Sequence, residues 1–359
     1  MTISDVSNSA DDEERTRDLV DPGQLGAWMD DQGLPHKGEP VTVRYISGGA
    51  ANEVFEVRRG DSRMVLRRPP RVVPKGRNET MLREYRVLSA LDGTDVPHPE
   101  AIAVCEDEGV LGAAFYLMGF VDGWTGMSGT GWAPPFDTDL EARRGLAFEL
   151  IEAIAKLSKV DWKARGLEGF GRPDNFHDRQ VDRWWTFYET FVFREVPGLE
   201  EAAAWLREHR PRTFEPGIMH GDYSYANVMF HHGAPARIAA IVDWEQATVG
   251  DPKLDLGWVM MTWPNPGEDG SHILIPVDYA GMPTREELLE RYALVSGRPV
   301  DDVEYYVILA RFKMAVVLEG GYARVVKGQA DNPRTAAFGA AVDRLAANAA
   351  ELVRTTTYR

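Results

Sequence analysis

The chain has 359 residues, with 40 Lys and Arg against 56 Asp and Glu, and a formal net charge of −16. Apolar residues make up 44% and charged residues 27%, the balance of an ordinary globular protein, and the length predicts two domains or lobes. The acidic balance argues against nucleic acid as a partner. The longest uncharged apolar stretch, Gly109 to Val121, falls well short of the ~20 residues of a membrane span, so no membrane partner is expected. A single cysteine, Cys105, excludes an internal disulfide and fits a cytoplasmic setting.

Residues 1–21 carry seven acidic and two basic residues and few large apolar ones, which predicts an acidic mobile arm over 1–24 with structure starting near Leu25. Val41, Val43 and Tyr45 alternate with polar residues as in a half-buried strand. The turn Ser47-Gly48-Gly49-Ala50-Ala51-Asn52 follows, then a returning strand over Val54–Arg58 and a third over Met64–Arg67, closed by Pro69-Pro70. Met81, Leu82, Tyr85, Leu88 and Leu91 recur at helical spacing, and Ala113 to Phe120 has the composition of a buried strand. Residues 140–160, 181–194, 199–209 and 285–350 are mostly helical by pattern. The predicted class is α+β: a β-rich lobe over 25–120, a mainly helical lobe over 121–359, and a cleft between them.

Charge is uneven. Between Arg58 and Arg86 lie ten basic and three acidic residues, a +7 island in an acidic chain that reads as an anion site, although most of these arginines need only be a solvated face. Glu84 falls on the apolar face of its helix, where a carboxylate is costly unless paired.

The sharpest local signal is Met219-His220-Gly221-Asp222-Tyr223-Ser224-Tyr225-Ala226-Asn227, followed by Ile241-Val242-Asp243-Trp244. Short strands over 228–230 and 238–242 with a turn between them form a hairpin, whose open ends bring Asn227 and Asp243 together near Asp222. Two carboxylates and a carboxamide suit a hard cation such as Mg²⁺, with phosphate oxygens completing its shell.

These spaced motifs resemble the catalytic and metal-binding loops of the aminoglycoside phosphotransferase-like kinases, relatives of choline kinases and, more distantly, of protein kinases. Val242 to Pro252 with Asp255-Leu256-Gly257, Leu66 to Pro70 and Glu84 to Leu88 are most similar to the branch of kinase domains associated with acyl-CoA dehydrogenases. The resemblance implies a bilobal protein-kinase-like fold and an ATP- and Mg²⁺-dependent phosphotransferase with an alcohol group as acceptor. It implies Asp222 as the catalytic base, Asn227 and Asp243 as Mg²⁺ ligands, and Asp255 as a brace of the catalytic loop. It also implies Arg67, paired with Glu84, as the phosphate grip where relatives have lysine. Ser47, Gly48, Gly49, Ala50, Ala51 and Asn52 would form the phosphate-covering turn, and Met118, Gly119 and Phe120 the hinge whose backbone meets the adenine. His220 reads as a structural residue, and His231-His232 as an exposed turn.

The uncharged loop Gly123 to Phe136, with two tryptophans, a methionine and a phenylalanine among glycines and prolines, reads as a lid over an apolar ligand. The aromatic group Trp184, Trp185, Phe187, Tyr188 and Phe191 reads as helical core. Together with the branch resemblance, the loop predicts a small, apolar or acyl-bearing alcohol as acceptor. A catalytically dead nucleotide-binding module and a true aminoglycoside-modifying kinase share the same motifs. A protein kinase fits less well, because only residues 245–252 are available between Asp243 and Asp255 for a peptide platform.

Overall fold

A computed structural model describes residues 9–48, 52–126, 131–264, 277–329 and 333–358. Helices α1 (Ala10–Leu19) and α2 (Pro22–Asp31) precede three antiparallel strands, β1 (Val41–Gly48), β2 (Glu53–Arg59) and β3 (Ser62–Arg68). Then come α3 (Arg77–Leu91), β4 (Ala101–Cys105), the short α4 (Glu108–Leu111) and β5 (Phe115–Gly119). The five strands form one sheet in the order β1-β2-β3-β5-β4, every neighbouring pair antiparallel.

The period of two along each strand sends side chains to opposite faces of this sheet. On one face Phe55, Val57, Met64, Leu66, Phe115 and Leu117 pack against Leu19, Val20, Leu25, Trp28 and Met29. The other face receives Met81, Val87, Leu88 and Leu91 of α3.

The acidic segment differs from its expectation. Residues 10–19 form α1 rather than a mobile arm. Ser9 and Asp12 cap it reciprocally, its acidic first turn suits the positive end of the helix dipole, and Leu19 is buried in the sheet core. Arg15 donates to the Tyr45 hydroxyl at 2.7 Å, and Asp18 pairs with Arg71.

Beyond β5 the chain is mainly helical. A short strand β6 (Trp124–Thr125) leads to α5 (Leu140–Leu157), α6 (Phe176–Glu189) and α7 (Leu199–Glu208). Strand β7 (Gly217–Met219), the hairpin β8 (Val228–Phe230) and β9 (Ile238–Ile241), and β10 (Thr248–Gly250) carry the catalytic motifs. Helices α8 (Lys253–Met260), α9 (Arg285–Ser296), α10 (Val303–Val326), α11 (Pro333–Ala336) and α12 (Phe338–Thr355) complete the fold. The fold is therefore α+β, with a β-rich N-terminal part and a helical remainder. Among the described residues no helix is long and apolar enough to cross a membrane.

Helix α8 is buried along its whole length and crosses α10 at Gly257, where a Cβ would lie 2.6 Å from the Tyr306 backbone. Ala ordinarily stabilises a helix interior relative to Gly, but the steric term wins here. Gly257→Ala is expected to destabilise the protein by ~1–3 kcal/mol in a denaturant titration.

Candidate active site

His220, Gly221 and Asp222 follow β7. The buried Asp255 carboxylate, one turn into α8, accepts the His220 N–H at 2.6 Å and the Gly221 N–H at 2.8 Å. Gly221 adopts φ +86, and a Cβ there would lie 2.6 Å from the Gln246 carbonyl oxygen, so only glycine fits. The buried His220 ring faces the Val242 carbonyl oxygen through Nε2 at 3.0 Å, while its Nδ1 accepts the Asp222 N–H at 3.4 Å. Burial lowers the His220 pKa to about 4, so the ring is neutral and braces the loop.

The hairpin brings its ends together. Val228 pairs with Ile241, and the Val242 N–H donates to the Asn227 carbonyl oxygen at 2.9 Å. Asn227 Nδ2 donates to the Asp222 carbonyl oxygen at 2.8 Å and to its carboxylate at 3.2 Å. Asp243 occupies the left-handed region, φ 65 and ψ 63, a conformation unusual for a residue with a side chain. Burial, and next the charge of Asp243, push the Asp222 carboxyl up to about 6 against the donors of Asn227 and Trp258.

Arg67 and Tyr116 are register partners on β3 and β5, so both project onto the face covered by α3. There the Tyr116 hydroxyl donates to Glu84 at 2.9 Å, and Arg67 Nε lies 2.9 Å from the same carboxylate. The Arg67 Nη2 reaches across the cleft to Asp243 at 2.5 Å. Burial pushes the Glu84 carboxyl up to about 7, with Arg67 and Tyr116 opposing. The next residue, Arg68, points to the opposite face and donates to the carbonyl oxygens of Leu19, Pro69 and Leu111.

Most of the basic island is engaged within the fold. Glu56 gathers Arg44, Arg58 and Arg63 on the sheet. Arg77 meets Glu245 across the cleft at 2.8 Å, beside Asn52 Nδ2 at 3.2 Å from the same oxygen. Ser47 and Gly48 end β1 opposite Val54 and Glu53. Gly49, Ala50 and Ala51 lie outside the described residues. Met118 and Gly119 end β5 and Phe120 follows it, but the Gly119 N–H donates to the Glu100 carbonyl oxygen and the Phe120 N–H to that of Arg63. Any adenine contact here is left to carbonyl oxygens or to the linker that follows.

Asp222 also borders an apolar cavity of about 260 Å³, walled by Trp258, Met261, Trp263, Tyr279 and Met314. Asp222 carries the one charged side chain among its described lining residues. This wall was missed in the sequence, although the run Gly257-Trp258-Val259-Met260-Met261-Thr262-Trp263 signals it. The described aromatic residues of the expected lid are core. Trp124, Trp132 and Phe136 are buried, their rings packed together and against Phe230 and Tyr225. The two indole N–H groups reach the carbonyl oxygens of His231 and Asp278. Residues 127–130 of that loop lie outside the described set. His231 and His232 are exposed, as expected.

A sheet-based lobe joined to a helical lobe, with a carboxylate loop and an arginine–glutamate pair facing each other across the cleft, defines a kinase-like phosphotransferase. The model of the phosphotransferase enzyme family matches residues 42–292, and the chain belongs to that family. A Ralstonia eutropha structure provisionally assigned as an aminoglycoside phosphotransferase is 32% identical, covers 93% of this chain and 98% of its own, and superposes with a TM-score of 0.80. A thermostable mutant of an aminoglycoside phosphotransferase, solved with AMP-PNP and hygromycin B, shares the fold at 16% identity and a TM-score of 0.58, over 94% and 99% of the two chains. Chicken acyl-CoA dehydrogenase family member 11 is 30% identical over 89% of this chain. The chain spans 41% of that protein, and less than half the length of the curated acyl-CoA dehydrogenase relatives it matches.

Two outcomes follow from the cleft. Arg67→Ala is expected to weaken Mg·ATP binding by ~1–3 kcal/mol in calorimetry, whereas Arg68→Ala lowers thermal stability and leaves nucleotide affinity within about twofold. A larger binding loss in Arg68→Ala would reassign the grip. For Asp222, a folded pKa of about 6 above the ordinary 3.8 means that the folded state holds this proton more tightly. Stability therefore falls as pH rises through that window, because the ionised form is the disfavoured one in the folded protein. Without divalent cations, Asp222→Asn should be more stable than the parent by ~1–3 kcal/mol at pH 7.5, with the gap closing near pH 4.

Proposed function

We propose that the chain is an ATP- and Mg²⁺-dependent kinase that phosphorylates the hydroxyl of a small, apolar or acyl-bearing alcohol. The observation that carries this reading is the position of Asp222, at the border between the apolar cavity and the Asn227–Asp243 pair. The nucleotide would lie in the cleft beneath the β-rich lobe, whose expected span 25–120 is extended by α1 and the start of α2 packed on its sheet, with the catalytic lobe over 121–359.

In this reading Asp222 accepts a hydrogen bond from the acceptor hydroxyl and takes its proton as the new oxygen–phosphorus bond forms and ADP leaves. His220 and Asp255 hold the loop, and the buried, neutral His220 takes no part in proton transfer. Arg67, oriented by Glu84, presents its charge to the α- and β-phosphates. The donor set fits a hard cation: Asn227 turns its Nδ2 to Asp222, which leaves the carboxamide oxygen free to accept, at the end of the hairpin that also delivers Asp243. No group of three His, Cys, Asp or Glu side chains that could hold a metal occurs among the described residues; Mg²⁺ held by Asn227 and Asp243 would keep water and phosphate oxygens in the rest of its shell. Bound Mg²⁺ would neutralise the charge that develops on the transferred phosphoryl group.

An aminoglycoside is a polycation and calls for a wall of carboxylates, whereas Asp222 is the one carboxylate among the described residues that line the cavity. The similarity to acyl-CoA dehydrogenase relatives supports a hydroxyacyl thioester instead. With radiolabelled ATP, a hydroxyacyl-CoA should be phosphorylated and kanamycin-type aminoglycosides should not. Asp222→Asn should abolish transfer with Mg·ATP binding largely kept, and Asp243→Asn should weaken binding as well. Efficient turnover of kanamycin with none of the thioester would overturn the acceptor assignment, and equal loss of binding in both variants would overturn the division of roles.

A further inference from the structure

We propose that a second cavity, between α3, α6, the catalytic loop and α10, binds a phosphate-class anionic group carried by the acceptor substrate. This rests on the acceptor reading above and extends it from the reacting hydroxyl to the rest of the molecule.

The cavity measures about 600 Å³, room for a phosphate group and the fragment that bears it. Its central cation is Lys313 on α10, a lysine only 8% exposed. The Lys313 ammonium lies between two indoles, 5.3 Å from the Trp184 ring centroid and 5.4 Å from that of Trp258. No carboxylate among the described residues pairs with it; Asp255 and Asp222 attract it at longer range only. Burial lowers its pKa to about 8, which leaves it cationic at neutral pH. A buried ammonium without a counter-ion is costly, and an anionic ligand supplies what the fold does not.

The rest of the wall agrees. Arg83, Arg172, Arg179 and Arg183 line the same cavity, whose one described carboxylate, Glu245, is already held by Arg77 and Asn52. Arg83 and Arg179 are anchored through backbone carbonyl oxygens, and no carboxylate among the described residues pairs with either. Five cations converging in a protein of net charge −16 make a local positive field.

The two cavities share their walls. Gly221 lines the basic one and Asp222 the apolar one; Lys313 lines the basic one and Met314 the apolar one. Trp258 lines the apolar cavity and touches Lys313 from that side. In this proposal one acceptor has its hydroxyl at Asp222 and its anionic end at Lys313, in cavities whose walls adjoin.

The test uses Lys313→Met, which keeps the length of the side chain and removes its charge. Inorganic pyrophosphate, titrated without nucleotide or divalent cation, should bind the full-length parent chain and also Arg67→Ala. It should bind Lys313→Met at least about tenfold more weakly, the loss of one charge-assisted contact. In turnover, Lys313→Met should raise KM for a hydroxyacyl-CoA by a similar factor. Its kcat, its KM for ATP and its KM for the uncharged N-acetylcysteamine thioester of the same acid should not change. Arg183→Ala, at an exposed position, should shift both readouts in the same direction by a smaller factor, and serves if Lys313→Met fails to fold. Equal pyrophosphate binding in Lys313→Met and parent, or an equal effect on both thioesters, would overturn the site. Lys313-dependent pyrophosphate binding that does not compete with the CoA ester would overturn its assignment to the acceptor and mark a site for a free anion. If neither thioester is turned over, the acceptor reading fails, while the pyrophosphate titration still decides the site.

Discussion

One buried guanidinium connects the two halves of the cleft. Arg67 sits between Glu84, delivered by α3 from inside the β-rich lobe, and Asp243, delivered by the β8–β9 hairpin of the helical lobe. A charged Glu84 would be costly without it, whereas Asp243 keeps part of its surface in solvent. Glu84 is almost fully buried, and Asp243 raises the Asp222 pKa by its charge. A buried ion pair of this kind contributes little net stability once desolvation is counted, so its value lies in geometry. It fixes the distance between the sheet and the catalytic loop, and it holds a cation where nucleotide phosphates would arrive. Arginine in place of lysine suits the task, because its planar fork reaches two partners at once.

Much of this arrangement is legible in the sequence, for local reasons. Strands β1 to β3 alternate with period two, and α3 repeats its apolar residues with the helical period, so Glu84 can be placed on a buried face before any coordinates exist. The hairpin makes Asn227 and Asp243 neighbours because only a short turn separates their strands. The alternation along β3 also separates Arg67 from Arg68, although choosing between them needs the register with Tyr116. Helix α1 carries a readable signal too, the Ser9–Asp12 capping pair ahead of Leu19 and Val20, which its acidic composition masks.

What is not legible depends on distant pairings. The aromatic loop after β5 looks like a lid because glycine and proline surround its tryptophans. Their burial depends on carbonyl oxygens from residues 231 and 278, more than a hundred positions away. The apolar cavity and the basic cavity are likewise assembled from α3, α6, the catalytic loop, α8 and α10. No local window of sequence contains Lys313 together with Trp184 and Trp258. The +7 island shows the reverse effect: its local charge suggests an anion site, yet most of its arginines bind Glu56, backbone carbonyl oxygens or neighbouring acidic residues.

In the proposed nucleotide cleft Arg67 acts through Glu84 and not as an isolated charge. A double-mutant cycle on the affinity for Mg·AMP-PNP, with Arg67→Ala, Glu84→Gln and the double variant, tests this most directly. Strong coupling is expected, ~1 kcal/mol or more, with the double variant losing little beyond Arg67→Ala alone. Simple additivity of the two losses would contradict it.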